Sequence, residues 1–204
     1  PLITSEWACE IFKLAKQNKL FTSYVSNGNG TPEVIEFLLP YIDLYKVDLK
    51  GFDDKHYRQL GGVLQNVLDT IDLLYRKNVW VEIVTLLVPD FNDSDDELRD
   101  IANFIASVSS NIPWHVTAFH PDYKMDDIDS TSITSLLNAV EIGYEAGLHF
   151  VYAGNIPGKL QHYENTYCPR CKELLIERIG FRVMQNNLIN GCCPKCLLYI
   201  PGRW

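Results

Sequence analysis

No stretch of this 204-residue sequence approaches the ~20 consecutive apolar residues that a bilayer-spanning helix needs, and no charged-then-apolar leader is visible. A membrane-spanning helix is therefore not expected. The missing leader, together with thiols expected to be reduced, points to the cytoplasm. Positive charge is also scarce: 18 Lys and Arg stand against 26 Asp and Glu, for a formal net charge of -8 and a pI near 5.1. That balance argues against nucleic acid or an anionic membrane surface as the main partner, although the cysteine-bearing C-terminal end is itself mildly basic. Low-complexity tracts and short-period repeats are lacking too. A composition of 47% hydrophobic and 12% aromatic residues suits one sizeable core plus a small appendage. The first residue is Pro1 and not Met, so a processed or truncated product is expected.

The appendage declares itself by two clusters, Cys168-Pro169-Arg170-Cys171 and Cys193-Pro194-Lys195-Cys196. Two such hairpins bring four thiolates to tetrahedral spacing around one zinc ion. Residues 172–192 separate the pairs, slightly more than the usual ribbon spacing, and the proline inside each pair favours the tight turn that both sulfurs need. Residues 159–204 are therefore expected to form a zinc ribbon. Four thiolates fill the coordination sphere, which makes the site structural. Cys9 and Cys192 are left over. Cys9 is expected to pack as a small apolar helix residue, and Cys192 has no clear task.

Before the ribbon, helical and strand patterns alternate. Helices are predicted over 4–18, 32–39, 63–77, 94–109 and 132–146, and strands over 20–26, 43–49, 79–88, 114–119 and 149–153. Ser94 with Glu97 makes a capping box, and Gly147 suits a left-handed helix end. Apolar runs such as Ile83-Val84-Thr85-Leu86-Leu87-Val88 fit strands of a parallel sheet buried by helix crossovers. The expected class is α/β, with a boundary after Gly154-Asn155-Ile156-Pro157-Gly158. The domains are then 1–158 and 159–204.

One strand breaks the apolar rule. Alternation in Leu44-Tyr45-Lys46-Val47-Asp48-Leu49-Lys50 puts Lys46, Asp48 and Lys50 on one face. Unpaired buried ions cost several kcal/mol each, so this face should line a polar cavity or bind a ligand beyond the strand's carboxyl end. The structural alternative is a self-paired Asp48–Lys50 bridge on an edge strand. Ser26-Asn27-Gly28, His120-Pro121-Asp122 and Gly154-Asn155 follow other strands and could share the same mouth. His115 and His149 are expected to face the interior as structural residues, and His56 and His162 to be exposed. The acidic run from Asp90 to Asp100 reads as a solvated helix start, since its spacing does not match a calcium loop.

The set Val25-Ser26-Asn27-Gly28, Val47-Asp48-Leu49-Lys50-Gly51-Phe52, Thr85-Leu86-Leu87-Val88-Pro89, Trp114 to Met125, Gly154 to Gly158, Glu164 to Cys168 and Ile200-Pro201-Gly202-Arg203-Trp204 resembles radical S-adenosylmethionine (radical SAM) enzymes of the AmmeMemoRadiSam type. These are relatives of the glycyl-radical activating enzymes such as pyruvate formate-lyase activating enzyme. The resemblance covers essentially the whole chain. It implies that Asp48, Lys50 and His120 contact S-adenosylmethionine, with Ser26 and Asn27 reaching the same cofactor. Such enzymes carry a [4Fe-4S] cluster on a Cys-x3-Cys-x2-Cys loop, which this sequence lacks, and the family's Glu-Pro motif survives only as Pro1-Leu2-Ile3-Thr4. The resemblance thus implies the last four or so β/α units of a partial (β/α)6 barrel. Asp90, Lys172 and Leu197 stand where relatives or other ribbons commonly have glycine.

The implied activity of the whole enzyme is reductive cleavage of S-adenosylmethionine to a 5′-deoxyadenosyl radical that abstracts hydrogen from an unidentified substrate. Family association suggests Memo-type and AMMECR-type proteins as partners. The rival expectation is a non-catalytic protein-binding module made of the half-barrel and ribbon.

Overall fold

A computed structural model describes residues 2–156 and 158–204; Pro1 and Pro157, which belong to two of the segments singled out above, lie outside the described residues. Contacts gather into two units, Pro1–Thr85 and Leu86–Trp204. No helix among the described residues is long and apolar enough to cross a membrane.

In the first unit a 3-10 turn, Leu2–Thr4, leads into α1 (Ser5–Gln17), followed by β1 (Ser23–Ser26), α2 (Pro32–Leu38), β2 (Leu44–Asp48), α3 (Asp54–Gln59), α4 (Leu64–Arg76) and β3 (Trp80–Leu87). Local chemistry sets these limits. The Thr31 hydroxyl accepts the Val34 N–H ahead of α2, and Pro32 occupies the first turn, where its missing N–H costs nothing. Asp53 caps α3 by accepting the N–H groups of Lys55 and His56. Val67, Thr70, Ile71 and Leu74 recur at helical spacing along α4 and are all buried. β2 pairs in parallel with β1 on one side (Ser23 opposite Leu44) and with β3 on the other (Leu44 opposite Trp80).

The second unit takes the last residues of β3 and then α5 (Asp95–Val108), β4 (Trp114–Ala118), α6 (Ile133–Glu145), β5 (Val151–Gly154), β6 (Thr166–Tyr167), β7 (Leu174–Ile179) and β8 (Arg182–Asn186). Ser94 and Ser132 cap α5 and α6 through their hydroxyls. Arg99 pairs with Glu145, and Asn138 donates to Asp95, across the two helices. β4 and β5 are parallel, whereas β6, β7 and β8 form a small antiparallel sheet. That sheet shares a core with the approach to β5: Phe150 is buried among Cys168, Leu175, Ile176, Cys193 and Ile200.

The architecture is the expected α/β class, with five strands in sheet order β1-β2-β3-β4-β5 and a cysteine-bearing antiparallel appendage. Two expectations about histidines need correction. His149 lies before β5, is exposed, and meets Asn111 at 2.9 Å, because Leu148 and Phe150 on either side take the buried positions. His56 sits in α3, a helix that the hydropathy pattern did not predict, and is partly buried there.

Gly28 is required by both backbone and space. Its φ is +71°, and a Cβ there would lie 2.7 Å from Val47 Cγ1 and 2.9 Å from Val67 Cγ1. Gly28→Ala is expected to destabilise the protein by about 2 to 5 kcal/mol, the sum of a left-handed backbone and an overpacked contact. Chemical denaturation checks this, and an unchanged midpoint would contradict the packing described.

Candidate functional site

β2 delivers the charged face that alternation predicts. Tyr45, Val47 and Leu49 are buried, while the side chains of Lys46, Asp48 and Lys50 are 35%, 30% and 41% exposed and so reachable by a ligand. The strand is interior to its sheet, which removes the edge-strand alternative. Lys46 Nζ pairs with Asp48 Oδ1 at 2.9 Å, and Lys50 Nζ lies 3.7 Å from Asp48 Oδ2. Glu82 stands in register beside Lys46 and accepts the Trp80 indole N–H at 2.9 Å. The carboxyl end of β2 is held firmly. Thr85 donates to the Leu49 carbonyl and the Tyr57 hydroxyl accepts the Lys50 N–H, both at 2.9 Å. Burial pushes the Tyr57 hydroxyl up to about 12, so it stays neutral while it accepts.

The end of β1 contributes differently from its neighbour. Ser26 pairs with Val47, so its side chain points to the buried face and not to the face of Asp48. There its hydroxyl accepts the Gly28 N–H at 3.2 Å and shapes the turn. Tyr45, buried on the same face, has its hydroxyl pushed up to about 12 by desolvation. Asn27 is exposed, and its side-chain oxygen accepts the Asn29 N–H at 3.3 Å.

In the second unit His120 is exposed, two residues past β4. The loop that carries it is tied down by Thr131, whose hydroxyl donates to the Leu87 carbonyl and accepts the Phe119 N–H. Asn155, with φ +66°, donates to the Ala118 carbonyl at 3.2 Å. His115 is half-buried and stacks on Tyr152, with ring centroids 5.0 Å apart. Asn92 and Glu164 escaped sequence reasoning. Buried Asn92 accepts the Val88 N–H and donates to the Leu86 carbonyl, closing the acidic turn after β3. Buried Glu164 accepts the N–H groups of Gly158 and Gly180, and so ties the segment after β5 to the β7–β8 hairpin. A cavity of about 520 Å³ lined by Tyr144, His149, Tyr152, Tyr167 and Lys172 opens near the start of β5, not at the strand ends that carry the polar groups.

The four clustered cysteines do meet. Their sulfurs all lie within 4.8 Å of one another, with Cys168 and Cys196 at 3.5 Å and Cys171 and Cys193 at 3.6 Å. Tetrahedral thiolates about 2.3 Å from one metal ion would be roughly 3.8 Å apart, so the donor set and its spacing fit such an ion. The two knuckles repeat one geometry. Lys172 N–H reaches the Cys168 carbonyl and Leu197 N–H the Cys193 carbonyl, with both Lys172 and Leu197 at φ +58°. The four neighbouring thiols compete for ionisation. The Glu173 backbone favours the Cys171 thiolate, but burial and the neighbouring thiols outweigh it and push Cys171 up to about 12. Burial opposes ionisation of Cys193, yet the N–H groups of Cys196 and Lys195 more than offset it and bring that thiol down to about 7. Cys192, outside the quartet, forms bridges to Ile189 and Tyr199, and Cys9 is buried in α1.

Cys196→Ser is expected to reduce bound metal from about one ion per chain to a small fraction and to open residues 166–204 to proteolysis. Metal analysis with limited proteolysis checks this. Full metal content in that variant would remove Cys196 from the ligand set.

No family model matches the chain. An uncharacterized protein of Methanocaldococcus jannaschii is 36% identical over 189 residues, spanning 92% of this chain and 56% of that protein. The pyruvate formate-lyase-activating enzyme of Clostridium pasteurianum is 27% identical over 144 residues, spanning 63% of this chain and 59% of the enzyme. A crystal structure of a domain of pyruvate-formate lyase-activating enzyme from Bacteroides vulgatus shares the fold with a TM-score of 0.68 at 18% identity, covering 76% of this chain and 94% of that domain. The chain thus spans less than two thirds of the length of these curated relatives. Together the relatives and the shared fold indicate the superfamily of radical SAM proteins and pyruvate formate-lyase activating enzymes.

Proposed function

We propose that this chain is part of a radical SAM enzyme of the AmmeMemoRadiSam type and supplies one side of its S-adenosylmethionine site. The observation that carries the reading is the charged face of β2, an interior parallel strand whose Asp48 and Lys50 stand at its carboxyl end, where open α/β sheets bind ligands. In this reading Asp48 accepts from the ribose or the amino group of the cofactor. Lys50 meets its carboxylate, and His120 serves the ribose or adenine side. Asn27 lies at the same strand ends, and Ser26 contributes through the turn that presents Asn27. When bound together with a [4Fe-4S] cluster, S-adenosylmethionine supplies on one-electron reduction a 5′-deoxyadenosyl radical able to abstract hydrogen from a substrate.

The chain's six cysteines do not fit the cluster: four form the sulfur quartet, Cys9 is buried in α1, and Cys192 adjoins the quartet. The cluster ligands are therefore assigned to sequence outside this chain, in keeping with the share of its relatives that it spans. The quartet is assigned to structural zinc, the usual occupant of a closed four-thiolate site. Memo-type and AMMECR-type partners and a cytoplasmic setting complete the reading. A second reading, a protein-binding module, is favoured by the exposed Trp7, Ile11 and Leu14 on α1.

Asp48→Asn in the complete protein is expected to weaken S-adenosylmethionine binding by about tenfold, the size of one charge-assisted hydrogen bond, and to slow its cleavage. Calorimetric titration and product analysis check this. Wild-type affinity and cleavage in the variant would overturn the assignment, and a wild-type protein with neither would favour the module.

A further inference from the structure

The carboxylate of Asp48 is held unevenly. Its Oδ1 forms a close ion pair with Lys46 Nζ at 2.9 Å, whereas Oδ2 faces Lys50 Nζ at 3.7 Å, beyond hydrogen-bond reach. Lys46 has another acceptor at hand. Glu82 stands beside it in register on β3 and on the same face of the sheet. Glu82, however, takes the Trp80 indole N–H at 2.9 Å on Oε1, and the Lys46 ammonium reaches along its own strand to Asp48. Lys46 sits two residues, or about 6.6 Å, closer to the amino end of the strand than Asp48. It therefore grips the carboxylate from below and leaves the side facing the strand end for other donors.

We propose that Lys46 is a positioning residue: it fixes the rotation of the Asp48 carboxylate so that Oδ2 is presented to hydroxyl or ammonium donors of a bound ligand. The inference rests on the reading of Asp48 as a cofactor contact. It assigns to Lys46 a role separate from that of Lys50, which lies closer to the ligand's side of the strand end. The charge of Lys46 and its reach matter together, so arginine should substitute and methionine, of similar bulk, should not.

The test uses crystal structures of Lys46→Met and Lys46→Arg, with calorimetric titration of S-adenosylmethionine into both, into Asp48→Asn and into the wild type. In Lys46→Met the Asp48 carboxylate is expected to rotate off its position, with binding about fivefold weaker, as suits a partly exposed ion pair. Lys46→Arg is expected to keep both the orientation and the affinity within about twofold of the wild type. An unmoved carboxylate with unchanged affinity in Lys46→Met would overturn the proposal. So would a Lys46→Arg protein as impaired as Lys46→Met, which would make the role one of packing. Equal binding by the wild type and Asp48→Asn would instead sink the cofactor reading, and Lys46 would then stand or fall on the orientation of the carboxylate alone.

Discussion

A parallel strand inside a sheet has two faces to satisfy, and in β2 only one of them is apolar. Tyr45, Val47 and Leu49 are buried on one side, so Lys46, Asp48 and Lys50 are forced together on the other. Three charges on a partly desolvated face are tolerable only if they neutralise one another, and a single carboxylate between two ammonium groups leaves a net positive strand end. Glu82 on the adjoining strand offsets this. The buried side depends on the same alternation. Ser26, Val47 and Gly28 fit together there only because the register is the one observed, and a slip by one residue would exchange the faces.

Much of this was legible in advance because it follows from period and spacing. Apart from α3, the element order before the cysteine clusters, the Ser94 cap, the charged strand and the sulfur quartet all come from patterns that a sequence displays directly. What escaped depends on partners distant in the chain. Ser26 was grouped with Asn27 as a strand-end polar residue, and only its pairing with Val47 shows that its hydroxyl turns away from Asp48. Asn92 and Glu164 are unremarkable as letters, since their role lies in backbone groups they reach across turns. α3 is too short for periodicity to reveal, although Asp53 is an ordinary capping residue for it.

Three positions where glycine is common elsewhere, Asp90, Lys172 and Leu197, adopt φ values of +61°, +58° and +58°. Each costs about 1 to 2 kcal/mol for a residue with a side chain. At Asp90 the N–H is repaid by the Asp93 carboxylate at 2.9 Å. At the knuckles a structural zinc ion, as proposed for the quartet, would offset far more, since such sites contribute roughly 10 kcal/mol or more to folding. A metal bound that strongly would relax the demand for glycine after the second cysteine of each pair.

The position of Phe150 carries a consequence for how the chain can be divided. It precedes β5, the last strand of the parallel sheet, yet its ring lies within the core built by Cys168, Cys193 and Ile200. The appendage is thus not a detachable module in the sense that its sequence boundary suggests. Cutting the chain after Gly158 would uncover an aromatic ring beside a strand of the parallel sheet, and any event that disturbs the sulfur quartet would be felt at β5. The antiparallel appendage is thus tied to its neighbour through one ring: removing it would take away the floor on which Phe150 rests.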